Sequence, residues 1–394
     1  MEQTILNLLP ITKGGGLQNV MSFLKSLSED AERRDQVTVI CREGTAAADF
    51  TRDNFSNSRL VPRGLKGRIQ GELHALHQLT HAKLCFTFFG SPTIGSRGKF
   101  VNVCGNAYPN LFYPEVDFWA YLPMGGRIKC KAIDIIRRKG QKLADFWIFE
   151  TDVMRGRAMR LFNFPSDRCA VVKMAPSDYV RKDRVNPTKF ANFDKAIRPG
   201  FRMLMLAGAH SNKKQIYIPE WIDALKKLGC EDFAFVTTMN EQAPYAQEVI
   251  QEVKRRGQER HYTNIGPVQP QDCASLIEAC SAMLCVSRLE SFSNNFVEAW
   301  NMEKPLVASD WDWSQDAGGR AALYVKPDQF SETAATLKTL MTSQNQRDDL
   351  VKAGRENLKS YHTPASKYVE QWRVIEHARG LGFCPPETRR KIRW

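Results

Sequence analysis

The chain has 394 residues, 43% hydrophobic and 25% charged, which suits two globular domains of about 150–200 residues rather than one core. Its formal charge of +13 calls for an anionic partner, and nucleic acid, a phosphorylated ligand and an acidic membrane surface all qualify. Ten cysteines without a CxxC pair argue for buried thiols rather than disulfides or zinc, and no segment approaches the ~20 apolar residues of a spanning helix.

The start, Met1 to Pro10, lacks the basic n-region of a signal peptide. Alternating strand and helix patterns then run almost throughout, which predicts α/β architecture with parallel sheets. The first half offers strands at Ile5–Leu9, Val37–Cys41, Leu84–Phe88, Val101–Cys104, Phe146–Phe149 and Ala170–Val172. A glycine turn, Thr12-Lys13-Gly14-Gly15-Gly16, leads into a helix with Val20, Phe23, Leu24 and Leu27 on its apolar face. The stretch 180–201, with Pro187, Pro199 and Gly200 and little periodicity, reads as a linker. Beyond it the spacing predicts strands at Met203–Leu206, Phe233–Thr237, Tyr262–Ile265, Ala282–Val286, Leu306–Ser309 and Ala322–Val325. A final helix over about 364–380 carries Tyr368, Val369, Trp372 and Ile375, and a basic tail with Trp394 comes after it. The domains are therefore placed at 1–185 and 186–363, with that helix returning to the first and 381–394 as tail.

The most informative stretch is the strand Ala282–Val286 together with Ser287 to Glu298. Ser293 is a fair N-cap for a helix whose inner face is Phe296, Val297 and Trp300. Amides at such a helix start favour an anion beyond the strand's carboxyl end. Glu290 precedes the helix and Glu298 lies within it, so one carboxylate suits a sugar and the other a ribose diol; a surface Glu and a helix-capping Glu are the plain alternative. In Ala207 to Lys214, Lys213 is the preferred point charge for a diphosphate, with Lys214 second. His210 is more simply a hydrogen-bonded structural residue. The turn at Gly15 and Gly16 permits close approach of backbone to ligand, but it is not GxGxxG.

The order of these motifs resembles the retaining glycosyltransferases of family four, the group 1 glycosyl transferases with the GT-B fold. The resemblance rests on Asn264-Ile265-Gly266-Pro267-Val268, Ser287 to Glu298, Lys304 to Asp310 and Ala321 to Val325, and more loosely on Gly14 to Gln18, Phe149-Glu150-Thr151 and Lys173 to Ser177. It implies two Rossmann-like domains facing across a cleft. It also implies that Glu290 contacts the donor sugar, Glu298 binds the ribose, and the amides of Phe292, Ser293 and Asn294 hold the diphosphate and sugar. Lys213 would bind phosphate, Val268 would receive the base, and Gly15 and Gly16 would approach the donor from the other domain. The chain departs from the family pattern at Ser291 and Ser293, where glycines are usual. The arginine before the phosphate lysine is missing, and Asn106 stands near where a histidine is common.

The resemblance thus implies a hexosyl or related transfer from a UDP-, GDP- or dTDP-sugar to a glycan or polyprenyl-diphosphate-linked saccharide. No cofactor and no metal are expected, and the protein is expected in the cytoplasm. Composition adds one element. From Trp119 to Lys142, Arg127, Lys129, Lys131, Arg137, Arg138, Lys139 and Lys142 interleave with Ile128, Ile133 and Ile136, a pattern that suits either a solvated helix face or an anionic membrane at which the protein is peripheral. A nucleotide-sugar epimerase or phosphorylase and a non-catalytic glycan-binding protein are the competing functions. Nucleic-acid binding has only net charge in its favour, with no recognisable motif.

Overall fold

A computed structural model of the protein describes residues 3–12, 14–77, 82–93 and 95–392; Lys13 of the glycine turn and Trp394 of the tail lie outside these. The chain divides into two compact units, 1–174 with 363–394, and 175–362.

The first unit is built on seven parallel strands, β1 (Gln3–Asn7), β2 (Val37–Arg42), β3 (Ser58–Val61), β4 (Ala82–Thr87), β5 (Val101–Asn106), β6 (Phe146–Phe149) and β7 (Cys169–Val171). They are arranged β3-β2-β1-β4-β5-β6-β7, so that Thr4 of β1 stands opposite Val37 on one side and Leu84 on the other. The second unit has six: β8 (Phe201–Met205), β9 (Phe233–Thr237), β10 (Tyr262–Asn264), β11 (Ala282–Cys285), β12 (Leu306–Ser309) and β13 (Leu323–Val325). Their order is β10-β9-β8-β11-β12-β13. Each sheet therefore reverses its strand order once, between β1 and β4 and between β8 and β11. In such Rossmann-like sheets ligands bind outside the carboxyl ends of the strands at that reversal.

Most strands follow from their apolar runs, because a parallel strand covered on both faces has no polar side. The edge strand β3 escapes that reading: Ser-Arg-Leu-Val is short and polar, and only Val61 is buried. The expected linker at 180–201 instead contains a helix, Pro187–Ala196. Asn186 caps it, its side chain accepting from the Lys189 amide at 3.1 Å, and Pro187 occupies the first turn. The Asn186 amide donates to Ser275 Oγ at 2.9 Å and Lys189 pairs with Asp272 at 3.2 Å, so this helix packs within the second unit.

In the first unit the helix Gly14–Glu29 buries Val20, Phe23, Leu24 and Leu27 as expected. The helix Pro364–Leu381 packs on it through Tyr368 and Trp372, whose rings lie 5.3 and 6.4 Å from Phe23. Val369, expected among that helix's apolar contacts, is 54% exposed. The tail is anchored: Arg389 is ion-paired with the fully buried Asp145 and donates to the Lys142 and Ala144 carbonyls at 2.8 and 3.2 Å.

Candidate functional site

At the reversal of the second sheet, two loops leave neighbouring strands and are stitched together by one side chain. Asn212 follows β8. Its Nδ2 donates to the Leu289 carbonyl at 2.8 Å, its Oδ1 accepts from the Leu289 amide at 3.1 Å, and its carbonyl accepts from the Arg288 amide at 2.8 Å. An amide side chain is thus paired with a peptide unit as a strand neighbour would be. The next residues on each loop, Lys213 and Glu290, consequently meet as an ion pair, both largely enclosed. Burial works to lower the Lys213 ammonium's pKa, but the Glu290 carboxylate beside it outweighs burial and holds it above its ordinary value. Burial, with the same carboxylate adding to it, pushes the Cys285 thiol at the end of β11 up to about 11.

Lys214 takes a different course. It adopts a left-handed backbone conformation (φ 63°), and its ammonium lies 5.1 Å from the centre of the Tyr217 ring. Burial, followed by the Arg288 charge, lowers its pKa. His210 is structural at least in part, its Nδ1 accepting from the Asn212 amide at 3.1 Å. Ser211 Oγ is enclosed and has no hydrogen-bond partner among the described residues.

The helix Asn294–Asn301 starts where the sequence placed it, with Ser293 at the N-cap, but the Ser293 side chain makes no capping bond to its backbone; it acts instead to lower the pKa of the Cys285 thiol. The first amides of a helix have no partner within it. Phe296, Val297 and Trp300 bury the inner face, and Phe292 packs on Tyr361 at 5.7 Å. Asn295 Nδ2 donates to the Leu206 carbonyl at 3.2 Å, tying the helix start to the end of β8. Ser309 Oγ on β12 holds the Ser287 carbonyl at 2.7 Å.

Glu298 is buried, and burial alone pushes its carboxyl up to about 7. The Cys273 thiol is raised to about 12 by burial, with a contribution from the Glu298 charge. That cysteine opens the helix Cys273–Glu278, which follows the β10 loop carrying Val268. Lys213, Lys214, Glu290, Phe292, Ser293, Asn294, Glu298 and Val268 therefore all lie in the second unit, on the loops and helices after β8, β10 and β11. Gly15 and Gly16 open the helix Gly14–Glu29 in the first unit.

Two features were not anticipated. Asn212 carries no sequence signal, since an asparagine in a loop has many ordinary uses. The other is a small cavity in the first unit, lined by residues that include Phe88, Gly105, Phe149, Glu150, Lys367 and Gln371. Burial lowers the Lys367 ammonium there to about 8 despite the Glu150 charge, and it donates to Asn19 Oδ1 at 2.8 Å. Asn106, at the end of β5, is buried; its Nδ2 donates to the Cys104 carbonyl and its Oδ1 has no partner among the described residues.

Two Rossmann-like units with a polar site at a strand reversal define the GT-B architecture, and solved structures agree with that over nearly the whole chain. A glycosyltransferase from Rickettsia africae superposes with a TM-score of 0.73 at 13% identity, covering 96% of this chain and 98% of its own. HepE of Anabaena, solved with UDP and glucose, gives 0.70 at 15% identity over 95% and 99%. WaaG, a glycosyltransferase involved in lipopolysaccharide biosynthesis, gives 0.68 at 12% identity over 94% and 99%. No curated protein shows significant sequence similarity to the chain. Residues 201–343, the greater part of the second unit, match the family model of the glycosyl transferases group 1.

Proposed function

We propose that this protein is a retaining glycosyltransferase that moves a sugar from a nucleotide-sugar donor to a glycan or polyprenyl-diphosphate-linked saccharide in surface polysaccharide synthesis. The observation that carries the reading is the meeting of Lys213 and Glu290 at the reversal of the second sheet, beside the start of the helix Asn294–Asn301. A cation, unpaired amides and a partly enclosed carboxylate suit a ligand that is anionic at one end and rich in hydroxyls at the other. In this reading Lys213 and the amides of Phe292, Ser293 and Asn294 take the diphosphate, with Lys214 as an outer charge. Glu290 takes sugar hydroxyls, Glu298 the ribose diol, and the backbone near Val268 the base. The unpartnered hydroxyl of Ser211 fits a site that a ligand completes.

In this reading no side chain is assigned as a dedicated base, and the departing diphosphate serves. The bond from the anomeric carbon to the phosphate oxygen breaks and its electron pair goes to the phosphate. The acceptor oxygen attacks from the same face, and its proton passes to the leaving phosphate oxygen. Lys213 and the helix amides stabilise the charge that grows there, which is where such groups accelerate a reaction most. The UDP in HepE makes a uridine diphosphate sugar the first donor to test, with GDP- and dTDP-sugars next. A lipid-linked acceptor would be met at the cytoplasmic face of a membrane, to which the protein would be peripheral through the stretch 127–142.

A donor panel assayed for nucleoside diphosphate release tests the reading. Release that requires an acceptor supports it. Turnover left intact by both Glu290→Ala and Lys213→Ala would overturn the site assignment.

A further inference from the structure

Two helices of the first unit carry aliphatic side chains on the outside. In Gly64–His77, the residues spaced i, i+4, i+8 on one side are Gly67, Gly71 and Ala75, and they are buried: a Cβ at Gly71 would come within 2.7 Å of Leu9 and 3.3 Å of Ile40 on β2. On the opposite side the same spacing gives Leu65, Ile69 and Leu73, which are 74%, 51% and 51% exposed. In Met124–Gln141 the only buried residue is Gln141, while Met124, Ile128 and Ile135 form one stripe with exposures of 68%, 62% and 55%. Exposed aliphatic residues repeated at helical spacing mark a surface made to be covered.

The two helices belong to the same side of the sheet. The chain runs β1, β2, β3 in one direction and β4, β5, β6 in the other, and right-handed crossovers then put the helices of the return on the face opposite Gly14–Glu29. The burial pattern agrees. Leu9, Ile40 and Ala75 share one small core, and the helices Gly14–Glu29 and Pro364–Leu381 fill another with Leu6, Val39 and Phe86.

Charge identifies the occupant. The single acid of Gly64–His77 is Glu72, buried and paired with Arg68 at 3.6 Å. The single acid of Met124–Gln141 is Asp134, which accepts from Asn110, Trp119 and Arg137. Neither helix offers an exposed carboxylate, whereas Lys66, Lys129, Lys131 and Lys139 are exposed. Aliphatic side chains separated by lysines, with no outward acid, match an anionic bilayer: the chains enter the acyl boundary and the lysine stems reach the headgroups. A protein interface would favour aromatic residues and be depleted in lysine, and nucleic acid would leave the aliphatic residues unused.

We propose that these two helices form one membrane-docking surface specific for anionic lipid, with Gly64–His77 an equal partner of the basic helix. The proposal rests on the glycosyltransferase reading only for its purpose, the delivery of a lipid-linked acceptor. Flotation of the full chain with vesicles of equal parts phosphatidylglycerol and phosphatidylcholine, against phosphatidylcholine alone, tests it. Binding to the anionic vesicles only is expected, weakened at least about tenfold by Leu65→Gln/Ile69→Gln/Leu73→Gln and likewise by Ile128→Gln/Ile135→Gln. These positions are exposed, so both variants should keep the wild-type melting temperature, and they should keep donor turnover on a soluble acceptor. Equal binding to both vesicles, unchanged binding of the Leu65/Ile69/Leu73 variant, or loss of a concentration-dependent dimer in that variant would overturn the proposal. A vesicle-bound protein without donor turnover would refute the enzymatic reading and leave this surface standing.

Discussion

Lys213 and Glu290, 77 positions apart in sequence, form an ion pair. A diphosphate that takes the lysine must compete with that carboxylate, so the two groups proposed to hold opposite ends of the donor also hold each other. Glu290→Gln should therefore bind free UDP more tightly than the wild type, by about tenfold, because it removes one negative charge beside the phosphate site. Lys213→Ala should weaken UDP binding and lower kcat by a hundredfold or more, in line with the ~3 kcal/mol typical of a well-placed charge-stabilising contact. Titration calorimetry with UDP separates the two; weaker binding by both variants would refute the competition.

Asn212 makes that pair possible. Its side chain spans the gap between the β8 and β11 loops with two bonds to Leu289. Asn212→Ala should lower kcat/KM by ~10–100-fold through misplacement of Lys213 and Glu290, while costing about 1–3 kcal/mol of stability. A positioning role predicts that UDP affinity falls together with kcat. An unchanged UDP affinity would limit Asn212 to a structural role.

Glu298 ties stability to pH. Its folded-state pKa of about 7 exceeds the 4.5 of a free glutamate, so between these values the native state binds the extra proton. Stability is then greatest below about pH 4.5 for this group and falls as pH rises through 7. Glu298→Gln removes the penalty. In the ligand-free protein it should be more stable than wild type at about pH 8, by up to ~3 kcal/mol, and equal to it at about pH 4. Ribose binding runs the other way, since only the carboxylate accepts from both hydroxyls; nucleotide affinity should rise with pH through about 7 in wild type and stay flat in the variant.

The tail is part of the first unit's structure. Asp145 is buried and accepts from Arg389 and from the backbone amides of Asn102 and Cys384 at 2.9 and 2.8 Å. Arg389→Ala strands that carboxylate and should cost about 3–5 kcal/mol, measured by chemical denaturation. Adding Asp145→Asn to Arg389→Ala should restore part of the loss, because the uncompensated charge is gone.

Much of this was legible in the chain itself. The apolar runs of β2, β6, β9 and β12 announced buried parallel strands, and the Phe296, Val297, Trp300 spacing gave the inner face of the helix after Ser293. Local chemistry was less complete. The edge strand β3 had no apolar run to show, and the cap Asn186-Pro187 was present but read as a break in a linker rather than the start of a helix.

Local pattern is enough for strands and helices because their periodicity is set by nearest neighbours along the chain. The partnerships of Lys213 with Glu290 and of Asp145 with Arg389, the depth at which Glu298 lies, and the outward turn of Leu65, Ile69 and Leu73 depend on strand order, which brings together residues that are remote in sequence. Burial and charge pairing are properties of that assembled space, and only the tertiary structure decides them.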